Sequence, residues 1–230
     1  MSWDLGVYRE RAARLPGAVV WTRTSDGEAY RILPDGCMDL LWIEEQLVVA
    51  GPDSRAYVGE SEAGVRYAAI RFAPGTAPGF LGVPARAILD ARVPLAELWS
   101  PSRSRRLADR VGRAADRASA LEDAVAGLFE EPPDRVVSQV LRGVRRGVAV
   151  PALAGSVGLS ERQLYRRCLD AFGYGPKTLD RVLRMNAALE RARAGLGLAE
   201  VAAQTGYADQ AHFTRDVKAL TGVPPRSLLA

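Results

Sequence analysis

The first hundred residues alternate short apolar, β-branched or aromatic runs with turn-forming residues. Ala18-Val19-Val20-Trp21-Thr22, Tyr30-Arg31-Ile32-Leu33, Met38-Asp39-Leu40-Leu41-Trp42-Ile43, Gln46-Leu47-Val48-Val49-Ala50 and Tyr67-Ala68-Ala69-Ile70-Arg71-Phe72 read as strands. Pro34-Asp35-Gly36, Gly51-Pro52-Asp53 and Pro74-Gly75 separate them, and Glu44-Glu45 fits a two-residue hairpin. Short strands at this spacing predict a small barrel or sandwich. Beyond Phe80 the period lengthens. Pro84 to Leu89 and Pro94 to Trp99 read as short helices. From Ser102 to Phe129, Leu107, Val111, Ala114, Ala118, Leu121, Val125 and Leu128 recur every three or four residues, a helical stripe weakened at Gly112. Glu130-Glu131-Pro132-Pro133 then breaks the chain and marks a boundary.

The last hundred residues contain a degenerate repeat. Leu153-Ala154-Gly155-Ser156-Val157-Gly158-Leu159-Ser160-Glu161-Arg162-Gln163-Leu164 is echoed by Val201-Ala202-Ala203-Gln204-Thr205-Gly206-Tyr207-Ala208-Asp209-Gln210-Ala211-His212-Phe213. Each copy is a short helix, a glycine and a second helix. Gly158 and Gly206 fall where a helix end calls for a left-handed residue, and Ser160 is a good N-cap for the second helix of its copy. Leu159, Leu164, Cys168 and Phe172 form one inward face; Tyr207, Phe213, Val217 and Leu220 form the other. Between the copies, Pro176 to Ala194 predicts a linking helix with a stripe of Leu179, Val182, Leu183, Asn186, Leu189 and Ala192. At 1.5 Å per residue it spans about 28 Å, close to the roughly 34 Å of one DNA turn.

Charge gives the repeat a partner. The chain carries a net +4, but residues 131–230 hold +6 and residues 1–130 hold −2. A basic half with two helix-glycine-helix units points to double-stranded DNA. The outward positions are Arg162, Gln163, Tyr165, Arg166 and Arg167 in the first unit, and Gln210, Ala211, Thr214, Arg215 and Lys218 in the second. Arginine pairs bidentately with guanine, glutamine with adenine, and a small or methyl-bearing side chain meets the thymine methyl. Arg167 and Lys218 lie farther along their helices, where phosphate is the expected partner.

Residues 150–228 resemble the AraC/XylS-type DNA-binding domain. The matching pieces are Gly158-Leu159-Ser160 through Phe172-Gly173, the Arg181–Ala194 helix, Val201-Ala202 through Gly206-Tyr207, His212-Phe213, Lys218 and Thr221-Gly222-Val223-Pro224-Pro225. The resemblance implies base-facing roles for Arg162, Tyr165, Arg166, Gln210, Ala211, Thr214 and Arg215. His212 also matches the family, with phosphate contact or local packing as its implied role. Two positions depart from the pattern. Ala208 stands where the family often has a capping serine, which predicts a weaker start for the second recognition helix. Cys168 replaces a usual aromatic.

Leu33 to Trp42 and Ile70 to Gly75 resemble a cupin-like sensor domain of such regulators. The expected fold is α+β: a small β-barrel or cupin-like sensor domain over residues 1–100, a helical linker or dimerisation segment over 101–131, and an all-α domain of two helix-turn-helix units joined by a long helix over 132–230. Trp21, Trp42 and Arg71 are the candidate effector-binding residues, since small-molecule sites often combine aromatic walls with one charge; ordinary core packing is the plainer reading. The N-terminal domain either binds an effector or only pairs two chains. Besides DNA, the candidate partners are a small-molecule effector, a second copy of the chain and, for an activator, RNA polymerase. A cytoplasmic location is expected, with no membrane partner: no apolar stretch is long enough to span a bilayer, and Met1 to Leu5 lacks a signal pattern.

Enzyme chemistry has little to stand on. One histidine and two distant cysteines, Cys37 and Cys168, give neither a metal site nor a disulfide framework, and no cofactor motif is present. A DNA-targeted alkyltransferase needs an activated thiol, and Cys37 has no basic neighbour in sequence.

Overall fold

The computed structural model describes residues 7–128 and 134–229. The expected boundary at Glu130–Pro133 and the Met1–Leu5 segment lie outside them.

The predicted strands form as β2 (Val19–Thr24), β3 (Tyr30–Ile32), β4 (Met38–Ile43), β5 (Gln46–Ala50) and β7 (Arg66–Phe72), joined by β1 (Val7–Ala12), β6 (Tyr57–Gly59) and β8 (Arg92–Pro94). Six of them make an antiparallel sheet in the order β1-β2-β7-β4-β5-β8; β3 and β6 pair separately. The expected barrel is therefore not closed: β1 and β8 end the sheet, each bonded to one neighbour among the described residues.

Glu44 and Glu45 make the β4–β5 turn at φ of 46° and 64°, with Ile43 opposite Gln46. Such a turn matches strand twist but suits Asn-Gly far better than two exposed glutamates. Replacing Glu44-Glu45 by Asn-Gly is expected to stabilise the protein by about 1 kcal/mol, read as a rise in Tm.

Strand alternation sends Val20, Met38, Leu40, Trp42, Ala68, Ile70 and Phe72 to one face, where helices cover them. These are α1 (Ala77–Leu81), a 3-10 turn (Ala85–Ile88), α2 (Leu95–Leu98), α3 (Pro101–Gly112) and α4 (Arg117–Ala126). The expected long stripe is split after Gly112 because Asp116 N-caps α4, accepting from the Ser119 N–H at 3.1 Å. Leu107, Val111, Leu121 and Val125 are buried in the core of the sheet unit. The apolar stripe expected to link domains or pair chains is thus used inside its own unit.

The helical unit comprises α5 (Arg135–Arg145), α6 (Val150–Ser156), α7 (Glu161–Phe172), α8 (Pro176–Arg193), α9 (Leu198–Gln204), α10 (Gln210–Thr221) and α11 (Pro225–Leu229). Leu164, Leu179, Met185, Leu189, Val201 and Phe213 have no measurable exposure at its centre. Each such side chain contributes about 1.5–3 kcal/mol by leaving water.

The other sheet face carries Trp21, Arg23, Asp39, Tyr67 and Arg71 and looks toward α8. Asn186 of α8 donates to the Pro34 carbonyl at 2.7 Å, and Arg31 donates to the Thr221 carbonyl at 2.6 Å. The Ala56 N–H reaches the Leu220 carbonyl at 2.7 Å, and Arg86 pairs with Asp170 of α7. The sheet unit therefore grips the C-terminal ends of both α7 and α10.

Candidate nucleic-acid interface

In the first unit, α6 ends at a glycine with positive φ: Gly158 sits at 69°, where a Cβ would be strained. Ser160 then N-caps α7 in a full capping box. Its hydroxyl accepts from the Gln163 N–H at 3.3 Å, while Gln163 Oε1 accepts from the Ser160 N–H at 2.9 Å. Leu164, Cys168 and Phe172 point inward, and Arg162, Tyr165 and Arg166 stand exposed. Tyr165 lies across the N-cap of α8: a Cβ at Gly175 would fall 2.3 Å from its ring.

Two members of the predicted reading set are engaged within the protein. Gln163 spends Oε1 on the capping box, so reading adenine through both amide atoms would require the box to open. Arg167 forms an ion pair with Asp134, which also caps α5 by accepting from the Val136 N–H at 2.8 Å. That pairing holds Arg167 on α5 rather than leaving it extended toward a phosphate.

In the second unit, Gly206 sits at φ 77°, and the turn runs one residue further before α10 starts. The predicted weak start is corrected here. Asp209, not residue 208, is the N-cap, and its carboxylate accepts from the His212 N–H at 2.6 Å. An anionic cap also suits the positive end of the helix dipole. His212 packs edge-on against Tyr207, and its Nδ1 accepts from the Ala208 N–H at 3.3 Å. Local packing is its visible role. Gln210, Ala211, Arg215 and Lys218 are exposed along α10, with Thr214 half-buried between them.

A residue that the sequence pattern did not single out holds the second unit to α8. Asp216, 8% exposed, receives Arg181 Nε and Nη2 at 2.9 and 2.7 Å and the Tyr207 hydroxyl at 3.2 Å. Arg184 approaches the same carboxylate at 4.0 Å and stacks on Tyr207. One signal was available: residue 216 falls three after Phe213 and four before Leu220, on the inward face of the helix.

The candidate effector residues separate. Trp21 and Arg71 border a cavity of about 1170 Å³ between the sheet and α8. Trp42 is on the opposite face, in the core and against α3, because its strand position has the other parity. Trp21 donates to Asp39 at 2.6 Å, and Arg71 lies 3.4 Å from the same carboxylate. Burial pushes the Asp39 carboxyl up against the opposing pull of Arg71. Burial likewise pushes the Cys37 thiol well up, with Asp35 adding to the effect, and lifts Cys168 to about 12. Neither thiol favours the nucleophilic thiolate at neutral pH.

Two short-helix, glycine, second-helix units on one linking helix define a double helix-turn-helix architecture. Residues 153–230 match the family described as "Helix-turn-helix domain", and residues 18–94 match "Domain of unknown function (DUF6597)". The C-terminal part of the chain is a helix-turn-helix domain. No curated protein is significantly similar to the chain in sequence. Among solved structures, ToxT from Vibrio cholerae matches with a TM-score of 0.50 at 11% identity, covering 96% of this chain and 96% of that one. ToxT bound to a methylnaphthalenyl butenoic acid matches with a TM-score of 0.50 at 12% identity, over 96% of this chain and 98% of that one. At such identities the likeness is one of fold, and it extends through both units. Among the described residues, no helix is long and apolar enough to cross a membrane.

Proposed function

We propose that the chain is a sequence-specific DNA-binding transcription regulator, and not an enzyme, that reads two successive major-groove segments with α7 and α10. The observation that carries this reading is the pair of capped helices, each exposing arginine beside other polar or small side chains, on one linking helix of 18 residues. Arg162, Tyr165 and Arg166 read the first segment; Gln210, Ala211, Thr214 and Arg215 read the second. Lys218 contacts phosphate, Arg167 joins it only by leaving Asp134, and His212 and Gln163 serve chiefly to shape their helices.

The N-terminal unit is proposed to take a small-molecule effector. The cavity bordered by Trp21 and Arg71 supports this, with walls contributed by both units. An occupant would touch both at once.

Phosphate contacts release counterions, so DNA affinity should fall steeply with salt. For about four neutralised phosphates the loss between 50 and 200 mM is roughly a hundredfold. Fluorescence anisotropy on a labelled duplex measures it. A flat salt response would remove the DNA-binding reading.

A further inference from the structure

The cavity between the units is built asymmetrically. Its sheet wall is aromatic: Trp21 lies 5.8 Å from Tyr8 and 6.5 Å from Tyr67, ring centre to ring centre. Charge on that wall is largely compensated, with Arg71 held between Asp35 and Asp39 at 3.8 and 3.4 Å. The helical wall is basic. Five arginines from α8 and the end of α5 line it against two carboxylates, Asp180 and Glu190. On the helical wall the buried Nε of Arg184 has no hydrogen-bond partner. Such a group is costly to leave unpaired.

We infer that this cavity is a binding site for a small aromatic anion, its ring on the Trp21–Tyr67–Tyr8 wall and its anionic group on the arginines of α8. The inference rests on the effector reading proposed for the N-terminal unit and names the ligand class and the wall that selects it. Rings on the sheet face supply stacking area, and a carboxylate or similar group gains charge-assisted bonds from guanidinium groups. Gln204, Thr205 and Gly206 also border the cavity, so an occupant touches the turn of the second helix-turn-helix unit directly. Any preference of that occupant for one arrangement of the units is returned, by linkage, as a change in DNA affinity.

Three ligands sharing one ring test the class on the full chain: indole-3-acetate, tryptophol and tryptamine, which present an anion, a neutral group and a cation. Indole-3-acetate is expected to raise the Tm with concentration, tryptophol less, and tryptamine not at all. Arg184→Gln should weaken indole-3-acetate binding about tenfold in calorimetric titration. Arg184 also leans on Asp216 and Tyr207, so the exposed Arg191→Gln serves as the second variant, with the same direction expected. Equal responses to all three ligands, no response to indole-3-acetate at millimolar concentration, or unchanged affinity in both variants would overturn the inference. DNA affinity without ligand, measured on the same samples, separates the two readings. Intact DNA binding with no anion response removes the site alone; anion binding without any DNA binding keeps the site and removes the regulator.

Discussion

Asp216→Ala is expected to destabilise the protein by about 3 kcal/mol and to weaken DNA binding, although residue 216 touches no base. The carboxylate is buried, joined to Arg181 through two guanidinium nitrogens, and accepts the Tyr207 hydroxyl. Removing one partner of a buried ion pair costs about 3–5 kcal/mol, and here the lower end applies because the Arg181 side chain is 42% exposed and regains water. The Tyr207 hydroxyl loses its acceptor as well, on a side chain already 4% exposed. Thermal unfolding should show a fall of about 6–12 °C, at roughly 2–4 °C per kcal/mol for a chain of this size. The loss of DNA affinity follows because these bonds join α10 to α8, and α8 sets the position of one reading helix relative to the other. Asp216→Asn retains an acceptor and should lose roughly half as much stability. If Asp216→Ala melts with the parent protein, the carboxylate does not hold α10 in place.

The second large effect concerns base reading. Arg215→Ala should cost about 1–3 kcal/mol of discrimination, roughly fivefold to 150-fold, at one or two base pairs. Arg162→Ala should do the same at different base pairs, about one helical turn away. Both side chains are exposed on helices whose cores stay intact, so neither variant should change the Tm by more than a degree or two. Competition between the preferred duplex and single-base variants measures the loss. Unchanged ratios for Arg215→Ala would remove its base-reading role, and losses at the same base pairs for both variants would place the two helices wrongly.

Much of this architecture is legible in the sequence because it is local. The Glu44-Glu45 hairpin, the capping signal at Ser160 and the two positive-φ glycines each follow from a few adjacent residues and a fixed period. Long-range pairing is different. Strand β1 reads Val-Tyr-Arg-Glu-Arg-Ala, an edge segment whose charges hide its alternation, and β6 and β8 have three residues each. That the sheet stays open depends on which strands meet, which no local pattern carries. Trp21 and Trp42 look alike in sequence, yet the register of β2 on β7 and of β7 on β4 puts them on opposite faces. Asp216 reads as one more surface charge after Arg215 until its inward position is counted. The second recognition helix looks uncapped when Ala208 is compared with the first unit's serine, while the longer turn moves the cap to Asp209.

Selection of binding sites from random DNA by the full-length chain tests the central claim most directly. Two unlike blocks, centred about ten base pairs apart and always in the same relative orientation, are predicted, because one chain carries two different reading helices. Arg162→Ala should degrade one block and Arg215→Ala the other. Recovery of no enriched sequence, or of a palindrome whose halves are identical, would contradict it.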